Sequence, residues 1–155
     1  MVWTIFARDP ETGARGLVIE VRSDLVADDG TVPTVEADAL RRRLFDRSMR
    51  VGLLVTPRHV LVVRDRLTSM TFVDNEFATY TIPTGRLFDA AHVGTPSADT
   101  LLDQVRSWLE ALAESWDTRL PADAFEAFVP DVVGHLVRAD IEVHEGLLPM
   151  DHAAE

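Results

Sequence analysis

Two short, nearly unbroken apolar runs constrain this chain most: residues 17–22, Leu-Val-Ile-Glu-Val-Arg, and residues 51–56, Val-Gly-Leu-Leu-Val-Thr. Runs of this length suit strands covered on both faces rather than buried helices. Between them lie a polar loop, Ser23 to Pro33, and a segment of different periodicity. There Ala37, Leu40, Leu44 and Met49 recur on one side, as on a helix of about 15 residues with one buried stripe. Thr34 reads as its N-cap, with Glu36 and Asp38 in the first turns, where the helix dipole favours acids. A strand, a helix and a strand over 17–55 are long enough for a parallel crossover, which places two neighbouring strands side by side in one sheet.

The remaining elements extend this unit. Val2–Ala7 reads as a strand ended by the turn residues Asp9-Pro10-Glu11-Thr12-Gly13, and with Leu17–Val21 it forms a long-looped hairpin. His59–Val63 follows Val51–Val55 through the short Thr56-Pro57-Arg58 turn. Met70–Val73 and Phe77–Ile82, split by Asp74-Asn75-Glu76, read as a further hairpin. Gly85 to Ser97 is a loop. Beyond it, Leu101, Leu102, Val105, Trp108, Leu109 and Leu112 form one face of a helix capped by Thr95 or Ser97, with Asp103, Arg106, Glu110 and Glu114 opposite. Pro121 starts another helix carrying Phe125 and Phe128, Pro130 breaks or restarts it, and Val132, Val133, Leu136 and Val137 continue its apolar side. The end, 151–155, is expected to fray. The 155 residues amount to about one domain. Its strand-rich core covers 1–90 and an acidic helical segment covers 97–150.

Charge separates the two parts. Residues 1–98 hold 13 acidic and 12 basic residues, whereas residues 99–155 hold 13 acidic and 3 basic. Neutralisation of phosphates is the main source of nucleic-acid affinity. A chain of net charge −11 is therefore a poor general DNA binder, and any nucleic acid would be met by the N-terminal half. A protein partner or a second copy fits better. Every basic residue is arginine, and there is no cysteine, which removes disulfides and thiolate ligands. No apolar run approaches the ~20 residues that span a bilayer, and no basic region precedes the apolar start as in a signal peptide. A cytoplasmic protein away from membranes is expected.

A strand bearing Glu20 and Arg22, a basic helix and two apolar strands, over roughly residues 2–65, resemble the core of the PD-(D/E)XK nucleases. Within that family the likeness is to the N-terminal nuclease-type domain of the type I restriction enzyme motor subunit, in a degenerate and N-terminally truncated form. The resemblance implies an α/β, restriction endonuclease-like mixed sheet with a crossover helix, followed here by a C-terminal helical segment packed on the sheet. It also implies a metal site. Clustered carboxylates hold Mg²⁺, which prefers oxygen ligands and generates the attacking hydroxide. Glu20 matches the family's glutamate, and Arg22 stands where its lysine should be. Alternation puts both on one face. The family's aspartate should fall at about Met1 or Val2, neither of which can ligate a metal. Asp9 lies about 20 Å away at the other end of the strand. Arginine stays protonated, so Arg22 can hold a phosphate but cannot act as a base.

These departures imply a catalytically inactive binding or accessory module that needs no cofactor. Mg²⁺ would be held at Glu20 only in an active form, a nuclease completed by an oligomer or a partner chain. An acidic adaptor or chaperone-like protein is the alternative on composition. Glu20 also has a purely structural reading, in which it pairs with Arg22 or a helix arginine or faces water. Arg41, Arg42 and Arg43 span about 200° of a helix. Such a run reads either as a solvated face paired with Glu36, Asp38 and Asp46, or as a phosphate or partner contact through Arg41 and Arg42 with Arg50 and Arg58. Glu142, His144 and His152 lack metal-ligand spacing and read as surface. Trp108, Trp116, Phe125 and Phe128 read as core. Gly13, Gly16 and Gly85 do not make a phosphate-binding loop.

Overall fold

A computed structural model describes residues 2–25, 33–88, 98–137 and 139–146. Strands β1 (Val2–Arg8) and β2 (Arg15–Arg22) form the long-looped hairpin. Helix α1 (Thr34–Asp46) then crosses to β3 (Val51–Val55), which lies parallel to β2. Strand β4 (His59–Asp65) turns back against β3, and β5 (Phe77–Pro83) against β4. The last strand, β6 (Asp140–Glu145), returns to pair with β1. The order is β5-β4-β3-β2-β1-β6, a mixed sheet with one parallel pair among the described strands.

Alternation distributes the apolar runs between two layers. Ile5, Leu17, Ile19, Leu53, Val60 and Val62 face one side, where α2 (Ala98–Arg119) covers them with Leu101, Val105, Leu109 and Leu112. A short helical run completes this layer: α3 (Phe125–Phe128), a π-turn at Val129–Val133, and α4 (Gly134–Leu136). Trp108 meets Phe128 edge-to-face at 5.6 Å, and Trp116 meets Phe125 likewise at 5.6 Å. The four aromatics are packing, as their spacing indicates. On the opposite side Phe6, Val18, Leu54, Leu61 and Val63 meet Ala37, Leu40 and Leu44 of α1. Gly52 makes that approach possible, since a Cβ there would stand 3.0 Å from both Leu40 and Leu44. The fold is thus the α/β mixed sheet with a crossover helix and a C-terminal helical segment packed on it.

Several details differ from the sequence reading. The N-cap of α1 is Pro33, and Thr34 is the first helical residue. Met49 lies beyond the helix but is buried in the same layer. α2 runs past Leu112 to Arg119, with a kink at Ser115. Pro130 lies inside the π-turn rather than ending the helical run, and Val137 is exposed. Residues 89–97, with the caps Thr95 and Ser97, and 147–155 lie outside the described residues. Most of the expected loop falls among these, and Thr84–Arg86 form a single 3-10 turn before it.

Met70–Val73 is not a strand: Met70 and Val73 point to solvent, 95% and 88% exposed. The loop 66–76 is held instead by hydrogen bonds from within. The buried Asn75 amide donates to Asp65 at 2.7 Å, and its oxygen accepts the Thr68 and Ser69 N–H groups at 2.9 and 3.1 Å. Asp65 also accepts the Leu67 N–H at 2.8 Å, which supports the left-handed φ of 56° at Leu67.

Candidate functional site

Glu20 sits at mid-strand between Thr4 of β1 and Leu54 of β3. Its side chain points to the α1 side with Val18 and Arg22. It does not open onto a cleft. Glu20 is 1% exposed and Arg43 of α1 is 8% exposed. The Arg43 Nε and Nη2 groups donate to the two Glu20 carboxylate oxygens as a fork. A buried carboxylate is tolerated when it is paired and hydrogen-bonded in this way. Of the readings open for Glu20, the geometry matches pairing with a helix arginine. The free space around the pair, bounded by Thr4, Phe6, Val18, Arg47 and Met49, is about 10 Å³. That is room for about one water, whereas Mg²⁺ keeps several waters and octahedral geometry. Among the described residues, no three histidine or carboxylate groups converge to hold a metal ion. Both Glu20 oxygens, to which the resemblance gives a metal only in an active form, are engaged by Arg43.

Arg22 shares the face of Glu20 but belongs to a different network at the strand end. It donates to Asp24 at 3.3 Å and to Glu36, in the first turn of α1, at 3.1 Å. Burial pulls the Arg22 pKa down, and the bonds and charges of Asp24 and Glu36 more than offset this. Asp24 shows the mirror effect: its carboxyl is raised by burial and lowered further by Arg22. These contacts clamp the start of the crossover helix to the end of β2.

The four arginines expected to contact phosphate or a partner do not converge. Arg41 bonds to Asp38 at 2.6 Å and to the Thr79 hydroxyl at 3.2 Å. Arg42 reaches Asp46 at 3.6 Å and lies over the Phe72 ring at 4.7 Å. Arg50 precedes β3 and Arg58 follows it, roughly 20 Å apart at strand rise, so they face opposite ends of the sheet. Arg43, within the same run, is the residue that turns inward.

A second cluster lies where the sequence reading placed surface. Strand β6 brings Glu142 beside the β1–β2 hairpin. Arg15 donates to both Glu142 oxygens, each at 3.1 Å, and Arg8 stands 3.6 Å from one of them. The Arg15 guanidinium lies 4.4 Å over the Phe6 ring, and His144 meets the same ring edge-on at 5.8 Å. Phe6, Arg8, Gly13, Arg15, Arg47, Met49 and Glu142 line an open cleft of about 450 Å³. The Arg15 hydrogen bonds hold Glu142 below the ordinary carboxylate range; burial opposes this, and the charges of Arg15, Arg8 and His144 add to it. The sequence does carry a signal for β6: residues 140–145, Asp-Ile-Glu-Val-His-Glu, alternate polar and apolar with period two.

No protein-family model, no curated protein and no solved structure matches this chain.

Proposed function

We propose that this protein is a catalytically inactive, nuclease-like module that serves as a binding or accessory unit for another protein. One observation carries the reading: both residues standing where nuclease chemistry would sit are closed by partners within the fold, Glu20 by Arg43 and Arg22 by Asp24 and Glu36. An active-site carboxylate must reach metal and water, and the space at Glu20 admits neither a hydrated cation nor a phosphate. The nuclease-like origin rests on the β2–α1–β3 crossover with Glu20 and Arg22 on one strand face.

The binding role is supported by the loop 66–76. It exposes Leu67, Met70 and Val73 while Asn75 and Asp65 fix its backbone from below. Apolar side chains presented on a pre-ordered loop lose little entropy when a protein surface covers them. An acidic adaptor is the second reading, favoured by the exposed Asp103, Glu110 and Glu114 along α2.

The test combines two measurements. The protein is incubated with Mg²⁺ or Mn²⁺ and single- or double-stranded DNA; no cleavage above that of Glu20→Gln is expected. Metal-dependent cleavage abolished in Glu20→Gln would overturn the inactive assignment and favour a nuclease completed by a second chain. A photo-crosslinker at position 70 should join the protein to its partner, and Met70→Asp with Val73→Asp should abolish that complex without lowering Tm. Binding that survives both substitutions but is lost when Asp103, Glu110 and Glu114 are neutralised would favour the adaptor reading.

A further inference from the structure

We propose that the outer edge of strand β5 pairs antiparallel with β5 of a second copy of this chain, joining the two sheets about a two-fold axis at Thr79. The inference is independent of the nuclease-like ancestry and of the loop 66–76, and it uses a different surface.

The free backbone groups of β5 follow from its pairing. No described strand pairs with its outer side. In an antiparallel ladder, successive residues turn their N–H and C=O alternately toward one neighbouring strand and the other. At the two ends of the β4–β5 ladder, the Thr84 N–H donates to the Arg58 carbonyl at 2.9 Å and the Arg66 N–H donates to the Glu76 carbonyl at 3.0 Å. Glu76 and Thr84 therefore face β4, and by alternation so do Ala78, Tyr80 and Ile82. Phe77, Thr79 and Thr81 turn both backbone groups outward, and Pro83 has only a carbonyl to offer.

The side chains leave this edge open. Exposed edges are usually blunted by charge. The opposite edge, β6, is treated this way, with Asp140, Glu142 and Glu145 among its six residues. All seven residues of β5, Phe-Ala-Thr-Tyr-Thr-Ile-Pro, are uncharged, and Thr79 and Thr81 are exposed. Flanking charges are neutralised in pairs. Arg41 donates to the Thr79 hydroxyl at 3.2 Å and to Asp38 at 2.6 Å, and Arg66 lies 3.8 Å from Glu76. The net charge of −11 is therefore not focused on this edge.

Self-complementarity points to a second copy rather than a foreign strand. With Thr79 opposite its symmetry mate, Phe77 of each copy faces Thr81 of the other. Each facing pair exchanges two N–H···O=C bonds, and none of the backbone groups of these three residues is left over. Phe77 against Thr81 and Thr79 against Thr79 are aromatic–β-branched and Thr–Thr pairs, which stabilise adjacent strands, on the α1 side. On the α2 side Ala78 stands opposite Tyr80, small against large. The neighbouring registers are poorer. One sets Phe77 opposite Pro83, where a missing N–H leaves an acceptor unpaired at each end. The other needs the Asn75 N–H, which already bonds to the Thr71 carbonyl at 3.0 Å. A two-fold contact of this kind closes on itself, so it yields a dimer and no filament.

Sedimentation of the full chain from micromolar to millimolar concentration should show a monomer–dimer equilibrium and no larger species. Thr79→Lys sets like charges opposite each other at the axis and should abolish the dimer, with the circular dichroism melt of the dilute chain unchanged. Glu145→Lys, on the β6 edge, should leave the dimer intact. Because the chain has no cysteine, single introduced thiols report the register independently of that charge. Cα atoms of a hydrogen-bonded antiparallel pair stand about 5.5 Å apart, within disulfide reach, so Thr79→Cys should cross-link on mild oxidation. In Thr81→Cys the two positions are about 13 Å apart along the strands and should stay reduced. The proposal is overturned if the chain remains monomeric over the whole range, if folded Thr79→Lys still dimerises, or if Thr81→Cys cross-links as readily as Thr79→Cys.

Discussion

Removing one partner of the Glu20–Arg43 pair is the sharpest test of the site's geometry. In Glu20→Gln the carboxylate disappears and the 8% exposed Arg43 guanidinium keeps its charge without its counter-ion. Breaking a buried pair this way costs about 3–5 kcal/mol, because the surviving charge remains desolvated. The local space of about 10 Å³ admits about one water, so rehydration recovers little. For a chain of this size the loss corresponds to roughly 6–20 °C in Tm. Replacing both residues together, Glu20→Leu with Arg43→Met, removes both charges and keeps the volume apolar. That double variant is expected within about 1 kcal/mol of the parent, or more stable. Urea unfolding of the parent, both single variants and the double variant gives the coupling energy directly. A cost below about 1 kcal/mol for Glu20→Gln would mean that water reaches the carboxylate, as at a surface pair. Stabilisation of the parent by millimolar Mg²⁺, lost in Glu20→Gln, would show that a cation displaces Arg43. Either result would remove the argument against catalysis.

Two further outcomes follow from the same contacts. Glu142 has a folded-state pKa held below its ordinary 4.5, so its contribution to stability is complete above that value and is lost as pH falls below it through the folded pKa. The stability difference between the parent and Arg15→Gln, read from urea melts, should shrink on acidification below about pH 4.5; a difference that grows there would refute the assignment. A chain ending at residue 96 loses α2, the helical run and β6, exposing Ile5, Leu17, Ile19, Leu53 and Val62. So large an apolar face favours aggregation, and a folded, monomeric 1–96 fragment on size exclusion would count against the layer assignment.

What was legible in the sequence is what hydrophobic periodicity encodes. The runs at 17–22 and 51–56, with the 3.6-residue stripe between them, specify two buried strands joined by a helix, and β1–α1–β4 follow closely. Arg43 was legible in principle: Leu40, Arg43 and Leu44 are spaced i, i+3, i+4, which places that arginine on the buried stripe. Periodicity carries no information about hydrogen bonding, and both main errors arise there. Met70–Val73 has strand-like composition, but the Asn75–Asp65 network ties the backbone into a loop. Strand β6 alternates correctly, yet Asp140, Glu142 and Glu145 dilute its apolar content, and its place beside β1 is set by backbone pairing and by Glu142 meeting Arg15. Glu20 is a harder case. Residue type and spacing are the same whether a strand glutamate holds a metal or an arginine, and the partner that decides lies 23 residues away.

The two polar features share one geometric cause. Six strands spaced ~4.8 Å apart make a sheet about 25–29 Å wide, while α1 has a diameter of about 10 Å. α1 packs against β3 and β4, and α2 packs against β1 and β2 from the other side together with the helical run that follows it. α1 is thus centred over β3 and β4 and only its edge reaches β2 and β1, through Val18, Glu20 and Phe6. Arginine can finish such a face because its methylene stem covers apolar surface while its head stays paired or wet. Arg43 and Arg15 do this over β2 and β1, each anchored on a strand carboxylate, Glu20 and Glu142. The difference between them is depth. Arg43 projects from the buried stripe of α1 and is shut off from solvent, which suits a structural pair. Arg15, beyond the helix, opens onto the cleft with Arg8 and Arg47. The same face is therefore open to solvent at Glu142 and closed at Glu20.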